Sequence, residues 1–337
     1  VKQAIAAAVS GGEVDAALME AAISSILRGE ASATQTAALL VALRIKGETA
    51  QEIASAASVM RLHCVPVALS PKSVLLDTCG TGGDGSHTFN ISTAAALVIA
   101  ACDIPLAKHG NRGASSRTGS ADVLEVLGVN IELSALQVAR CIETVGIGFM
   151  FARTHHPAMR HVAQIRAELG VRTLFNFLGP LCNPASATHQ VLGVPEPRML
   201  AILASALCAL GGKRAWVVHG HGGLDELSLA GPTRVAQLDG GAINEFEVTP
   251  EDFGLTTQPN ADLRVQDAQG SAAVIRAVLR GDKGAARDVV VLNAAAGLCV
   301  AGRAPSFVQA ARLAADAIDS GAALGKLSAW AAASQAV

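Results

Sequence analysis

Tyrosine is absent from the 337 residues, tryptophan occurs twice, and aromatic residues together make up 3%. So few ring faces leave no platform for stacking bases, which argues against a single-stranded nucleic-acid binder. Charge is also scarce, at 16% of residues, and 26 Lys+Arg against 28 Asp+Glu leave a net charge of −2. The global positive field of a nucleic-acid protein is therefore missing, while a local anion site stays compatible with the balance. Cys64, Cys79, Cys102, Cys141, Cys182, Cys208 and Cys299 are scattered and form no CxxC pair. Neither a zinc cluster nor a disulfide framework is expected, and a reducing, cytoplasmic setting suits them. Apolar runs such as Thr93 to Cys102 and Val289 to Val300 fall short of the roughly 18 residues of a membrane span. The opening VKQAIAAAVSGGEVDAALMEAAI has no basic stretch leading into an uninterrupted apolar run, so no secretory signal and no membrane partner are expected.

Apolar residues are plentiful, at 51%, and 33 glycines punctuate them. The composition supports a folded core, and the length suits about two domains at roughly 150 residues each. Residues 1–72 are Ala-rich, with Ser10 or Ser32 as caps and Thr34 to Ile45 apolar at helical spacing before Gly47. They predict a helical domain with one face free for a partner subunit, and a return segment near 172–190 is able to join it. From residue 73 to 337 the texture is that of an α/β domain. Val74-Leu75-Leu76, Ile104 to Ala107 and Ala215 to Val218 each run into a Gly-rich loop and then a helical pattern. Strand, loop and helix in series predict a mostly parallel central sheet flanked by helices, with ligands beyond the strand carboxyl ends.

The unusual chemistry sits in those loops and in the segment between the second and third. Gly80-Thr81-Gly82-Gly83-Asp84-Gly85 follows a buried-type strand; such glycines let backbone N–H groups approach phosphate oxygens. The pattern is neither GxGxxG nor GxxxxGK[ST], and alone it would often be an ordinary tight turn. Asn90-Ile91-Ser92-Thr93 opens a helix; these residues could merely cap it, yet together they suit an anionic ligand, and Ser92 offers a hard oxygen to Mg²⁺. Lys108-His109-Gly110-Asn111-Arg112-Gly113-Ala114-Ser115-Ser116-Arg117-Thr118-Gly119-Ser120 reads either as a solvated loop or as one folding over a polyphosphate, with Lys108 as a point charge. Asp225-Glu226 suits a solvated helix start or a magnesium site shared with substrate phosphates, the latter favoured by the phosphate-type loops. His155-His156-Pro157 lacks zinc-site spacing; His156 and Arg166, nearly three helical turns apart, could bracket a pocket in which Arg166 takes a carboxylate.

In this order, GTGGDG, FNIST, AKHGNRGASSRTGSADVLEVLG, FMFARTHHPAMRHVAQIRAELGVRTLFNFLGPLCNPA and HGHGGLDELS closely resemble the anthranilate phosphoribosyltransferases. GEASATQTAALLVALRIKGET, NAAAGLCVAG and AIDSGAALGKL extend the resemblance over nearly the whole chain. It implies a small helical domain used for homodimerisation and a larger α/β domain. It also implies phosphoribosyl transfer from phosphoribosyl diphosphate (PRPP) to the amine of anthranilate, in tryptophan biosynthesis. By resemblance, Gly80, Gly83, Asp84, Thr88, Asn90, Ile91, Ser92, Thr93, Lys108 to Ser116 and Ser120 contact PRPP. Ser92, Asp225 and Glu226 hold two Mg²⁺ ions. Gly80, Asn111 and Arg166 contact anthranilate, while His109, His156 and Pro180 line its path. No acid-base residue is nominated beyond His109 as a late proton acceptor. Two rivals are a pyrimidine nucleoside phosphorylase of related fold, for which the FNIST and Asp225-Glu226 metal set is superfluous, and a non-catalytic nucleic-acid-binding relative, disfavoured by the charge.

Overall fold

A computed structural model describes residues 1–113 and 116–336; Ala114 and Ser115, both expected PRPP contacts, lie outside the described residues. The chain opens with four helices, α1 (Lys2–Val9), α2 (Ala16–Leu27), α3 (Ala33–Lys46) and α4 (Ala50–Leu62). Ser32 and Gln35 form a capping box on α3, as Thr49 and Glu52 do on α4, satisfying N–H groups left free at a helix start. Ser10 does not cap a following helix: it lies at the C-terminal end of α1, and Asp15 caps α2 by accepting Leu18 N–H. The Glu52 carboxylate, fully buried, also accepts from Val14 N–H and Lys46 Nζ, so one charge ties three bundle segments together.

The remaining chain runs β1 (Leu76–Gly80), α5 (Ile91–Ala101), β2 (Leu106–Gly110), α6 (Ser120–Val126), α7 (Ala135–Val145), β3 (Ile147–Phe151), α8 (Ala152–His155), α9 (Arg160–Leu169), α10 (Phe175–Leu181), β4 (His189–Gly193), α11 (Met199–Ala209), β5 (Arg214–His219), β6 (Thr233–Asp239), β7 (Ala242–Val248), α12 (Ala268–Leu279), α13 (Ala285–Val300), α14 (Phe307–Asp319) and α15 (Ala322–Gln335). Seven strands form one sheet in the order β3-β2-β1-β4-β5-β6-β7, parallel from β3 to β5 and antiparallel beyond. The expected mostly parallel sheet is present. The third strand departs from expectation: β5 is followed not by a crossover helix but by a connection through residues 220–232, opening with a short turn at His221–Gly223, and then by the antiparallel pair β6–β7.

Side chains alternate across the sheet. Val191, Trp216, Val218 and Val235 enter a core with α5 and α12 to α15, whereas Leu192, Val217 and Ala236 enter a second core with α1 to α4, α10 and α11. The N-terminal helices thus cover one sheet face together with the segment from Leu174 to Cys182. Among the described residues no helix is long and apolar enough to cross a membrane. The strand order reverses between β1 and β4, parallel neighbours from which the sheet grows outward both ways, and ligand sites form above such a switch point.

Candidate active site

At the switch point Gly80 ends β1, Gly193 ends β4, and the two are paired in register. A Cβ on Gly80 would stand 2.2 Å from Asp225 Oδ2, and one on Gly193 would stand 1.6 Å from the Asp225 carbonyl oxygen. Both glycines therefore vacate the seat that Asp225 occupies. Asp225 Oδ2 accepts the Gly82 N–H at 2.7 Å, fastening the Gly-rich loop to the Asp225-Glu226 segment. Gly82, Gly83 and Gly85 have φ of 70°, 80° and 68°, the left-handed region that glycine enters freely. Asp84 lies across from Asp225 and accepts the Ser86 hydroxyl at 2.5 Å.

The first turn of α5 forms the next wall. Glu226 Oε1 accepts the Ser92 N–H at 3.0 Å, and Thr78 donates its hydroxyl to the Ser92 carbonyl. Ile91 and Thr93 are buried, and the Thr93 hydroxyl has no hydrogen-bond partner among the described residues. Thr88 pairs with Arg264 as a short bridge. Asn90 is already engaged: its Oδ1 accepts Ser271 Oγ at 2.7 Å and Thr118 Oγ1 at 3.2 Å, so it pins the second loop to the helix entry.

That second loop starts later than the sequence suggested, because Lys108, His109 and Gly110 belong to β2. Lys108 is 1% exposed and donates from Nζ to the Thr78 carbonyl at 2.5 Å, where its charge faces Asp77 and Glu226. It is a cation of the floor rather than of a solvated loop; the Thr78 carbonyl accepts from it, and the charges of Asp77 and Glu226 offset its own. Arg112 also departs from expectation, since Asp122 and Glu125 engage its guanidinium. Asp122 Oδ2 in addition accepts the N–H groups of Gly113 at 2.9 Å and Gly119 at 2.8 Å, closing the base of the loop. Asn111 and Ser116 are exposed, and Ser120 Oγ lies against Gly110 where any Cβ would collide with it.

Asp225 and Glu226 start no helix. Desolvation first, then the charges of Asp84 and Glu226, hold the Asp225 carboxyl well above the usual range. Desolvation likewise pushes Glu226 up to about 7, against the opposing pull of Lys108 and Ser92. Such a crowd of oxygen donors is relieved by a hard cation. Among the described residues no three His, Cys, Asp or Glu side chains could hold a metal unaided. Both observations suit Mg²⁺, which takes one or two carboxylates and completes its shell with water and substrate phosphate.

Beyond β2 the rings of His109 and His156 stand 4.9 Å apart, beside α10, which carries Pro180. Desolvation first, then repulsion from His156, pushes His109 down to about 3, and desolvation, then repulsion from His155, pushes His156 down to about 4, so both are neutral near pH 7. His109 Nδ1 lies 3.0 Å from the Gly179 carbonyl, which assigns the proton to Nδ1 and leaves a lone pair on Nε2. That Nε2 and both nitrogens of His156 are buried without a hydrogen-bond partner among the described residues. Arg166 on α9 is half-buried, its basicity lowered by desolvation, and it makes no ion pair among the described residues.

Sequence reasoning missed several residues that hold these parts. Buried Asp77 accepts His109 N–H and Asn183 Nδ2; Asn183 also donates to the Ala107 carbonyl. Asn293 brackets Leu227, accepting its N–H and donating to its carbonyl, and so fixes the backbone directly after Glu226. Arg172 donates to the Gly82 carbonyl and to Thr81 Oγ1. Asn183 and Asn293 stand inside GPLCNP and NAAAGLCVAG, but nothing in those letters names their partners.

Residues 2–64 match the helical bundle domain of a glycosyl transferase family, and residues 72–324 match its a/b domain. The anthranilate phosphoribosyltransferase of Rubrobacter xylanophilus is 52% identical over 328 residues, covering 97% of this chain and 95% of its own. That of Polynucleobacter necessarius is 54% identical over 309 residues, covering 92% and 91%. The crystal structure of the Thermus thermophilus enzyme superposes with a TM-score of 0.93 at 45% identity, covering 98% of this chain and 99% of that one. The Saccharomyces cerevisiae enzyme in complex with PRPP and Mg superposes at 0.89 and 28% identity, covering 97% and 95%. With matched motifs, both domains and near-complete coverage in agreement, this chain belongs to the anthranilate phosphoribosyltransferases.

Proposed function

We propose that this chain transfers the phosphoribosyl group of PRPP to the amine of anthranilate, giving N-(5-phosphoribosyl)anthranilate and diphosphate. The observation that carries the reading is the Asp225 seat between the paired tips Gly80 and Gly193, with Glu226 at the first turn of α5. Ser92, Asp225 and Glu226 would hold Mg²⁺, two ions per subunit, beside the bound donor. Bound Mg²⁺ would supply charge neutralisation for the departing diphosphate. Gly80, Gly83, Asp84, Thr88 and the start of α5 cradle the donor from one side, and the loop from Asn111 to Ser120 covers it from the other. Lys108 contributes a fixed positive charge from below the donor.

Anthranilate sits between His109, His156 and Pro180, with Arg166 gripping its carboxylate and Gly80 and Asn111 flanking it. The guanidinium of Arg166, without an ion pair among the described residues, supports this role, because a half-buried cation favours a bidentate anion. The arylamine is uncharged near pH 7 and needs no strong base. His109, with its lone pair on Nε2, is placed to accept an amine hydrogen bond, and its neutral state keeps it from acting as an acid. Alignment of the nucleophile and exclusion of water then do most of the catalysis.

Residues 1–72 and 73–337 form the two domains in this reading. Exposed Val9, Ile45 and Leu62 on the helical part suit a homodimer contact. The free cysteines support a cytoplasmic setting. The test is anthranilate fluorescence: loss of signal that requires both PRPP and Mg²⁺ is expected. Phosphorolysis of uridine or thymidine without metal, and no consumption of anthranilate, would replace this reading with the phosphorylase one.

A further inference from the structure

We propose that Arg172, in the connection between α9 and α10, is a positioning residue for the donor site: it holds the Gly82 peptide so that the following N–H faces the diphosphate. The proposal rests on the PRPP reading above. Arg172 Nη1 donates to the Gly82 carbonyl and Nη2 donates to Thr81 Oγ1 at 3.2 Å. The loop is built to admit it, since a Cβ on Gly83 would lie 1.8 Å from Arg172 Nη1. On the other edge of the same peptide unit pair, Gly82 N–H donates to Asp225 Oδ2 at 2.7 Å. Gly82 is thus gripped at its N–H by a carboxylate and at its C=O by a guanidinium. A cation on a peptide carbonyl draws electron density through the amide and makes the next N–H, that of Gly83, a stronger donor.

The guanidinium is itself aimed by its surroundings. It lies over the Phe177 ring at 5.9 Å, and its Nε is buried 3.8 Å from Glu196 Oε1 without a hydrogen bond. Glu196 is shared with Arg44 of α3 at 3.2 Å and with Arg198 at 3.0 Å. Buried Glu48, 3.7 Å from Arg198, is the second carboxylate of this cluster, so two carboxylates face three guanidiniums and a net positive charge stays behind the Gly-rich loop. The chain of contacts also reaches the N-terminal helices through Arg44, giving the loop a support outside its own domain.

The experiment uses the full-length enzyme. Steady-state constants and calorimetric PRPP binding with Mg²⁺ are measured for the wild type, Arg172→Ala, Arg172→Lys and Glu196→Gln. Losing two charge-assisted hydrogen bonds is expected to raise KM and Kd for PRPP by roughly tenfold or more, with KM for anthranilate within about twofold. Arg172→Lys should recover only part of the loss, since an ammonium cannot span both acceptors as the fork does. Glu196→Gln, which keeps Arg172, should give a smaller rise in the same constant and serves if Arg172→Ala does not fold. Unchanged PRPP constants in folded Arg172 variants, or equal rises for both substrates, would overturn the proposal. A wild type inactive with both substrates would instead overturn the reading beneath it.

Discussion

Gly193 illustrates how much of the site is decided by a missing atom. A methyl group there would stand 1.6 Å from backbone of Asp225, which cannot swing away as a side-chain tip could. Gly193→Ala should therefore cost about 1–3 kcal/mol by overpacking and weaken Mg²⁺-dependent turnover; denaturant unfolding and activity check both, and a variant unchanged in each would show the seat to be soft. Arg166 makes a sharper kinetic prediction. If it binds the acceptor carboxylate, Arg166→Ala should raise KM for anthranilate at least about tenfold and leave KM for PRPP nearly unchanged. Equal effects on both substrates would remove it from the acceptor pocket. The buried imidazoles predict a pH effect of definite sign. His109 and His156 titrate near 3 and 4 in the fold but near 6.5 when unfolded, so below pH 6.5 the unfolded chain binds protons that the folded one does not. Their contribution is intact above pH 6.5 and lost as pH falls towards 4. Unfolding free energy measured from pH 6.5 to 4.5 should fall less steeply in the His109→Gln, His156→Gln double variant than in the wild type; parallel slopes would contradict the assignment.

At the scale of elements, the second phosphate loop depends on α6 more than on its own residues. Asp122, in the first turn of α6, holds the Gly113 and Gly119 N–H groups and Arg112 together. Asp122→Ala should speed amide exchange at Gly113 and Gly119 and raise KM for PRPP by about tenfold, with KM for anthranilate little changed; unaltered exchange would mean the loop is closed by other contacts. This dependence also shows where reading letters stops. The glycines, the Asn-Ser-Thr helix start and the Asp225-Glu226 pair were legible because few residue types can do what those positions require. Lys108 was legible as a cation but not as a buried one, since its burial depends on carbonyls from β1 that adjoin β2 only in the folded sheet. Strands β3, β4, β6 and β7 escaped the pattern because none runs into a long Gly-rich loop: β3 passes straight into α8, β4 reaches α11 through a short connection, and β6 and β7 form a hairpin. Asp77, Arg172, Asn183 and Asn293 escaped because their partners are about 30 to 106 residues away.

For the whole molecule, the two cores meet at the sheet. The helices of residues 2–62 seal one face together with α10 and α11, α5 and α12 to α15 seal the other, and the strand tips between them lead into the loops assigned to the donor. The sheet thus presents the glycines and carboxylates, while Arg172 of the α9–α10 connection reaches the Gly-rich loop from the side. Fold class and the two-part layout could be read from composition and periodicity. The sheet order could not, because it depends on long-range pairings such as Gly80 with Gly193. The central claim is that these tips hold PRPP through a shared divalent cation. It is tested most directly by a crystal structure of the full chain with PRPP and Mg²⁺. The account predicts diphosphate oxygens on the N–H groups of the Gly80–Gly85 loop and a cation bridging them to Asp225 or Glu226. A donor bound elsewhere, with those carboxylates free of metal, would contradict it.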